Sequence, residues 1–249
     1  MQHDQARRTS IAIVGGGIGG LTAAACLLRA GFDAHVYEQA STLSEVGAGI
    51  NIGPNASRIL HRLGIAEELK KTGIKPASFD QRRWDDGRVL LRSPLGEEVE
   101  AAFGAPYYTL HRGDLHRALA GVIPGDRLHL AHRFTQLSDH GDRVEARFEN
   151  GASVSADTLI GADGIHSVVR HNLFGPEKPR FTGCVAHRGI VSRASRLQGM
   201  SEANKIRFHM PDGHAQRERD VEMASGATDW SWAVIAWLYE HDAEEVVEC

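Results

Sequence analysis

Three glycines and one acid near the start of the chain have the types and spacing of a dinucleotide-binding turn. Gly15, Gly17 and Gly20 form a GxGxxG pattern, and Glu38 follows 23 residues after the first of them. The first glycine of such a turn permits a tight bend, the second lets the backbone approach a pyrophosphate, and the third permits close packing. An acid at this distance accepts hydrogen bonds from an adenosine ribose and repels a 2′-phosphate. The pattern therefore predicts FAD or NAD, and not NADP, in this pocket.

The segments around these residues are the elements that must position them. Residues 11–14 are a short apolar run that predicts a buried strand, residues 21–30 favour a helix, and Gly31 stands where a C-cap glycine belongs. A second strand then ends at Glu38. An isolated GxGxxG is also compatible with an ordinary glycine-rich corner, but the strand, the helix and the terminal acid together disfavour that alternative.

A second glycine-containing turn lies in residues 157–170, which read DTLIGADGIHSVVR. A short apolar strand leads into Gly161, Ala162, Asp163 and Gly164, and a helix follows. Taken alone, Asp163 followed by glycine favours a simple Asx-turn.

This second segment resembles the second fingerprint of the flavin-dependent aromatic hydroxylases, the single-component FAD monooxygenases. Their pattern of two small residues, Asp-Gly, a polar residue, Ser and a final Arg is matched at Gly161, Ala162, Asp163, Gly164, His166, Ser167 and Arg170. The resemblance implies that the Asp-Gly turn serves both the FAD and the incoming nicotinamide cofactor.

Two further stretches are similar to the same family. Residues 46–56, VGAGINIGPNA, resemble the loop that lays backbone against the flavin ring, and residues 107–119 resemble the helix start whose arginine, here Arg112, contacts FAD. The alternatives are that these glycines only punctuate a loop and that Arg112 is a solvated first-turn residue. The motifs are closest to the 6-hydroxynicotinate 3-monooxygenases and salicylate hydroxylases. Asn51 departs from the hydroxynicotinate pattern, which has a histidine there.

The resemblance implies a set of cofactor-binding residues and a reaction. The cofactor-binding residues are Gly15, Gly17, Ile18, Gly20, Glu38, Gln39, Gly49, Asn51, Arg112, Asp163 and Gly164. The implied reaction uses FAD, NADH or NADPH and O2 to hydroxylate a small aromatic substrate, a phenol or a hydroxypyridine. No residue is identified as its catalytic base.

Composition is consistent with a cytoplasmic enzyme. The net charge of −4 argues against a nucleic-acid partner. A polar N-terminus and the lack of an apolar run near ~18 residues predict neither a signal peptide nor a membrane span. Three widely spaced cysteines indicate reduced thiols and no metal site.

The fold class expected is α/β, a Rossmann-like FAD/NAD(P)-binding domain with a partial β-sheet substrate domain. The FAD domain is predicted to be discontinuous, over 1–75 and 103–174, with the substrate domain over 76–102 and 175–212. Short helices are predicted at 54–63 and 66–71, a hairpin from 78–84 and 88–92 around residues 85–87, a helix at 112–122, and strands at 143–148 and 181–191.

Residues 213–249 do not resemble the family, and a GDAxHP segment is lacking. We expect a divergent tail from a truncated or frame-shifted chain. The alternative is a folded helix with Trp230, Val234, Trp237 and Leu238 near one face. Two other functions stay open: a fragment that binds FAD without catalysis, and a flavin-dependent reductase or oxidase. A visible spectrum of the purified protein would discriminate among them.

Overall fold

The computed structural model describes residues 9–43, 49–82, 88–177, 184–191 and 232–239. The chain packs into two compact units. The first unit comprises Met1–Glu45, Leu60–Ala66 and Gly113–Lys178, and the second unit comprises Val46–Ile59, Glu67–Arg112 and Pro179–Cys249. The units do not follow the domain boundaries expected from the sequence, and the functional division into FAD and substrate domains stays a prediction.

The described chain contains both helices and strands. The strands are β1 (Ser10–Val14), β2 (Asp33–Tyr37), β3 (Gly49–Ile52), β4 (Ser78–Arg82), β5 (Val89–Pro94), β6 (Tyr108–His111), β7 (Leu128–His129), β8 (Phe134–Asp139), β9 (Val144–Phe148), β10 (Ser153–Ala156), β11 (Thr158–Gly161), β12 (Cys184–Val191) and β13 (Trp232–Tyr239). The helices are α1 (Ile18–Arg29), α2 (Pro54–Arg62), α3 (Ala66–Thr72), α4 (Glu97–Phe103), α5 (Arg112–Ala120) and α6 (Val168–Phe174). These elements give the expected α/β fold class.

A parallel sheet in the order β11-β1-β2-β7 forms the centre of the first unit. Strand β1 lies between two neighbours, and its apolar run from Ile11 to Val14 is buried throughout. Val14 is the register partner of both Tyr37 and Gly161. Because parallel strands end at the same edge of the sheet, the turns that follow β1, β2 and β11 are brought together there.

Helix α1 begins at Ile18, directly after the extended N-cap Gly17, whereas the sequence predicted a start at Leu21. Its buried side chains include Leu21 and Ala24, and it packs against β1 and β2. The predicted C-terminal glycine is confirmed, since Gly31 takes a left-handed φ of +91° that favours glycine.

An antiparallel sheet in the order β10-β9-β8 completes the core of the first unit. One cluster of buried side chains joins it to the parallel sheet, formed by Ala12, Val14, Tyr37, Phe134, Ala146, Phe148, Ala156 and Val169. Val169 belongs to α6, so the same apolar contacts hold the helix that follows the second glycine turn.

Among its described residues, the second unit contains the antiparallel strand pairs β3–β6, β4–β5 and β12–β13, together with α3 and α4. The predicted helices are confirmed as α2, α3 and α5, and the predicted hairpin is confirmed as β4 and β5. The residues of its turn lie outside the described ranges. In the part of the chain that the structure describes, no helix has the length and apolar character needed to cross a membrane.

Two expectations are corrected in the second unit. The stretch 46–56 is not a loop throughout, because Gly49–Ile52 forms β3 and pairs with β6. The helical alternative for the tryptophan-rich tail is wrong, because Trp232–Tyr239 is a strand paired antiparallel with Cys184–Val191. A run of eight apolar and aromatic residues is compatible with a buried strand or with a buried helix. The pairing with Cys184–Val191 shows that it is a strand.

Candidate dinucleotide-binding site

The two glycine-containing turns predicted from the sequence lie side by side in the first unit. The Ala162 amide donates to the Val14 carbonyl at 2.7 Å, and the Gly15 amide donates to the Tyr37 carbonyl at 2.8 Å. A Cβ added to Gly15 would lie 2.3 Å from the Ala162 carbonyl oxygen, and the φ of Gly15 is +109°. Only glycine permits this bend and this approach.

A reciprocal pair at the other end of the sheet fixes β1 against β11. The Ser10 amide and hydroxyl donate to one carboxylate oxygen of Asp157, at 2.8 and 2.9 Å. In return, the Asp157 amide donates to the Ser10 hydroxyl oxygen at 3.0 Å. The pair adds polar contacts to the strand register that places both turns at the same edge.

A cavity of about 530 Å³ opens at this edge of the sheet. It is lined by both turns, by the end of β2 and by the starts of β8 and α6. The lining residues are Val14, Gly15, Gly17, Tyr37, Glu38, Gln39, His132, Arg133, Phe134, Ala162, Asp163, Gly164, Ile165, His166 and Val168. Beside Gly17 the cavity is open, since a Cβ built there meets nothing within 4 Å.

Glu38 joins the end of β2 to the first glycine turn. Its carboxylate accepts from the Gly16 amide at 2.6 Å and from the Ala40 amide at 2.8 Å. A carboxylate has about four lone-pair positions, so two amides leave it able to accept from a ligand hydroxyl. Glu38 therefore combines an internal role in the turn with acceptor capacity at the cavity.

Asp163 caps helix α6. Its carboxylate accepts from the Ser167 hydroxyl at 2.6 Å, from the Val168 amide at 2.7 Å and from the Val169 amide at 3.1 Å. Ser167 in turn accepts from the Arg170 amide at 2.9 Å. These bonds reach four to six residues ahead, so the carboxylate satisfies amides of the first helical turn rather than forming only an Asx-turn.

Comparison with known proteins identifies the family. The family described as FAD binding domain matches residues 8–241 of this chain. The chain belongs to the FAD binding domain family. The matched region includes most of the segment that was expected to diverge, from residue 213 onward.

Relatives in the FAD binding domain family include 3-amino-4-hydroxybenzoate 2-monooxygenase PtmB3 of Streptomyces platensis, which is 45% identical over 86% of this chain and 54% of its own length. A 6-hydroxynicotinate 3-monooxygenase of Bordetella bronchiseptica is 42% identical over 72% of this chain and 47% of its own length. The chain thus spans about half the length of these relatives. The solved structure of 2,6-dihydroxypyridine-3-hydroxylase from Arthrobacter nicotinovorans is similar with a TM-score of 0.63 and 31% identity, over 76% of this chain and 45% of that one.

The predicted cofactor-binding residues fall into two groups in the structure. In the first unit, Gly15, Gly17, Glu38, Gln39, Asp163 and Gly164 line the cavity. Ile18 and Gly20 lie in the first turn of α1. Gly49, Asn51 and Arg112 belong to the second unit, where Asn51 accepts from the Thr109 hydroxyl at 3.1 Å and Arg112 begins α5. Their cofactor roles stay predictions.

Sequence reasoning missed one wall of the cavity, formed by residues just before and within β8. Ala131 has a left-handed φ of +56°, which is uncommon without glycine, and this bend precedes His132. The His132 amide donates to the Glu38 carbonyl at 2.8 Å, and the Ala131 amide donates to the Ala40 carbonyl at 2.9 Å. No motif in the sequence predicts this wall, because its two hydrogen bonds join residues about ninety positions apart.

Behind this wall, a chain of hydrogen-bonded side chains fixes which ring nitrogen of His35 and of His129 acts as the acceptor. Arg127 can only donate, so the Nε2 of His35 accepts its hydrogen bond at 2.6 Å and the Nδ1 of His35 carries the hydrogen. That Nδ1 donates to the Nε2 of His129 at 2.9 Å. Burial lowers the pKa of His129, and the nearby His35 and His132 lower it further. His129 is therefore held neutral with Nε2 as an acceptor.

The first unit should lose stability when His129 is forced to take a proton. The pKa of His129 lies below the 6.5 of a free imidazole, so the unfolded chain binds the proton first as the pH falls. The contribution of neutral His129 to the free energy of unfolding is therefore complete above about pH 6.5. It is lost as the pH falls from that value toward the pKa of His129 in the folded protein. Urea unfolding at several pH values measures this loss. His129→Gln keeps an acceptor without titrating, so its profile should be flatter; an unchanged slope would contradict the assignment.

Asp163→Ala should destabilise the first unit by about 1–3 kcal/mol, because three donors at the start of α6 lose their acceptor. Chemical denaturation measures the free energy of unfolding. Asp163→Asn retains one carbonyl acceptor and should lose less. The same two variants test the cofactor role that the family resemblance implies, by stopped-flow reduction of FAD-saturated protein with NADH. An alanine variant as stable as the parent would refute the capping role.

Proposed function

We propose that this chain binds FAD at the cavity of the first unit, and that the protein hydroxylates a phenolic or hydroxypyridine ring with NADH or NADPH and O2. The observation that carries the proposal is that both fingerprint turns line one cavity. Neither motif alone specifies a flavin, because dinucleotide turns and Asp-Gly turns each occur in other contexts. Their juxtaposition on neighbouring parallel strands matches the two-motif pattern of the aromatic hydroxylases.

The residues of the cavity have the chemistry that FAD requires. Gly17 has open space beside its Cα, which lets backbone approach a pyrophosphate. Helix α1 begins directly after it, and the free amides and partial positive charge of a helix N-terminus favour phosphate oxygens. Glu38 lies at the end of β2 with remaining acceptor capacity for ribose hydroxyls. These three features fit the adenosine and pyrophosphate of a dinucleotide, and the second fingerprint turn beside them favours FAD.

Tyr37 and Phe134 supply the apolar part of the same cavity. Both side chains are buried in the core cluster and also line the cavity. Burial raises the pKa of Tyr37, and the nearby carboxylate of Asp33 raises it further, so its phenol stays neutral at physiological pH. Neutral aromatic walls exclude water from the edge of the cavity without adding charge to it.

FAD, when bound, supplies the electron transfer from NAD(P)H to O2 that the reaction needs. The protein's own contribution is to bind and orient the cofactor and to exclude water from the reacting groups. The substrate class rests on the relatives, whose names specify a hydroxybenzoate, a hydroxynicotinate and a dihydroxypyridine. We place the protein in the cytoplasm, where NAD(P)H is available and thiols stay reduced.

The proposal is tested in two stages with purified protein. In the first stage, a flavin absorbance spectrum and a titration of the protein with FAD measure cofactor binding. Saturable binding is expected, and its absence would refute the cofactor assignment.

In the second stage, FAD-loaded protein receives NADH or NADPH with 3-amino-4-hydroxybenzoate, 6-hydroxynicotinate or salicylate. Hydroxylated product is measured by chromatography and peroxide by a coupled assay. Product in proportion to the NAD(P)H consumed supports the hydroxylase. Peroxide without product with every substrate supports the reductase or oxidase alternative, and bound FAD with no NAD(P)H consumption supports the non-catalytic one.

A further inference from the structure

A buried histidine contacts the first glycine turn, and it lies in the stretch 107–119, whose family resemblance implies a role only for Arg112. His116 lies on α5 in the first unit, and only 4% of it is exposed. Its Nε2 lies 2.7 Å from the carbonyl oxygen of Gly16. A carbonyl oxygen accepts and cannot donate, so Nε2 carries the hydrogen and donates it. The residues are 100 positions apart in sequence, and the contact is therefore a product of the fold.

Gly16 is held through both of its backbone polar groups. Its amide donates to Glu38 at 2.6 Å, and its carbonyl accepts from His116 at 2.7 Å. Gly16 itself is buried and a Cβ there would lie 2.9 Å from the Cβ of Glu38, so no other residue type fits easily between these partners. The two side chains together fix the orientation of the turn.

The orientation matters because of the next amide. In a planar trans peptide the C=O of one residue and the N–H of the next point in opposite directions. When the Gly16 carbonyl is directed at buried His116, the Gly17 N–H is directed away from it. Gly17 lines the cavity and is the N-cap of α1, the position at which a dinucleotide turn approaches the pyrophosphate.

We infer that His116 is a positioning residue for the dinucleotide site: its Nε2–H holds the Gly16 carbonyl so that the Gly17 amide faces the pyrophosphate of the ligand. This inference rests on the proposed function, since it takes the cavity to be the FAD site. It extends the site to α5, which contributes no side chain to the cavity lining among the described residues. Glu38 and His116 then hold the two consecutive peptide groups that flank the Cα of Gly16.

If His116 had only a structural role, its loss would change ligand binding in a different way. Loss of a buried hydrogen bond lowers stability and weakens every ligand to the extent that folding is lost. Loss of peptide orientation instead weakens ligands with a pyrophosphate while leaving adenosine binding unchanged. The ratio of ADP affinity to adenosine affinity therefore separates the two roles, without requiring catalytic turnover.

The experiment compares three variants with the wild-type protein. His116→Phe keeps a planar ring and removes the donor, and His116→Gln restores a donor at a similar reach. Leu119→Ala is the matched control, because it deletes buried apolar atoms from the same helix and removes no polar group. FAD and ADP affinities are measured by calorimetry, adenosine by competition against bound FAD, and stability by urea unfolding.

Under the inference, His116→Phe lowers ADP and FAD affinity by about 10- to 100-fold, the range for a hydrogen bond to a charged group, and leaves adenosine affinity unchanged. His116→Gln restores ADP affinity to within about threefold of wild type. Leu119→Ala lowers stability but not the ADP-to-adenosine ratio. An unchanged ADP affinity in His116→Phe, or equal losses for ADP and adenosine that glutamine does not restore, overturns the inference.

A measurement on the wild-type protein decides the matter if His116→Phe does not fold. With ¹⁵N-labelled histidine, the His116 Nε2–H should give a slowly exchanging NMR signal that shifts when ADP is added and does not shift with adenosine. An unprotected proton, or one that does not respond to ADP, overturns the inference. If the wild-type protein binds neither FAD nor ADP, the proposed function fails as well; if it binds both and His116→Phe is unchanged, only the role of His116 fails.

Discussion

Gly17→Val is expected to abolish FAD binding while the first unit stays folded. A Cβ at Gly17 meets no atom within 4 Å, and its φ of −72° with ψ of 179° is extended backbone that valine adopts readily. The new methyl groups would instead occupy the open space where backbone approaches the pyrophosphate. We expect a loss of more than ~100-fold in FAD affinity, about 2.7 kcal/mol, by fluorescence titration.

Gly19→Val is the matched control for this variant. Gly19 lies two residues further along in α1, is exposed, and has open space around its Cα. The cavity lining does not include it among the described residues. The control should bind FAD nearly as well as the wild type. Retention of FAD by Gly17→Val would contradict the placement of the pyrophosphate at this turn.

The first fingerprint shows how far local sequence determines the site. The strand, the turn and the helix from Ser10 to Arg29 were predicted because apolar runs, glycine spacing and helix propensity all agree there. The start of α1 was placed three residues late. The sequence of Ile18, Gly19 and Gly20 does not favour a helix, because glycine has low helix propensity. The helix nevertheless begins at Ile18, directly after the extended Gly17, and packs against β1 and β2.

The rest of the site depends on contacts that no local pattern contains. His116 reaches Gly16 across 100 residues, and Ser10 reaches Asp157 across 147. His116 lies in the family-like stretch 107–119, but the resemblance implied a role only for Arg112 there. Its role emerges when α5 is packed in the first unit, so sequence spacing could not have selected it over His111 or His61.

The tryptophan-rich C-terminal segment shows a second limit of local sequence. Its pattern left a folded helix open as an alternative. The segment Trp232–Tyr239 is instead a strand that pairs along its whole length with Cys184–Val191, and the family match extends to residue 241. Aromatic and β-branched residues favour strands, and a partner strand more than forty residues earlier supplies the context that the local sequence lacks.

Gly20→Ala is expected to destabilise the first unit severely, although it adds only one methyl group. The added Cβ would lie 1.9 Å from the carbonyl oxygen of Gly15 and 3.3 Å from the Cβ of Ala162. The first of these is a backbone atom in a turn that already has a φ of +109°, so it cannot rotate away as a side chain would. Relief requires α1 to move off the sheet, and we expect a loss of about 3 kcal/mol or more in the free energy of unfolding.

Gly19→Ala is the matched control for this prediction, because the same substitution at Gly19 should raise the free energy of unfolding and not lower it. Gly19→Ala adds its methyl group to open space in the same helical turn, and alanine favours the helix over glycine by up to about 1 kcal/mol. Urea unfolding of both variants without FAD isolates the folding effect from ligand binding. Equal stabilities would mean that α1 does not pack against the turn as the structure places it. A large loss confined to Gly20→Ala would show that the third glycine of the motif is required by the packing of helix on strand, independently of any cofactor.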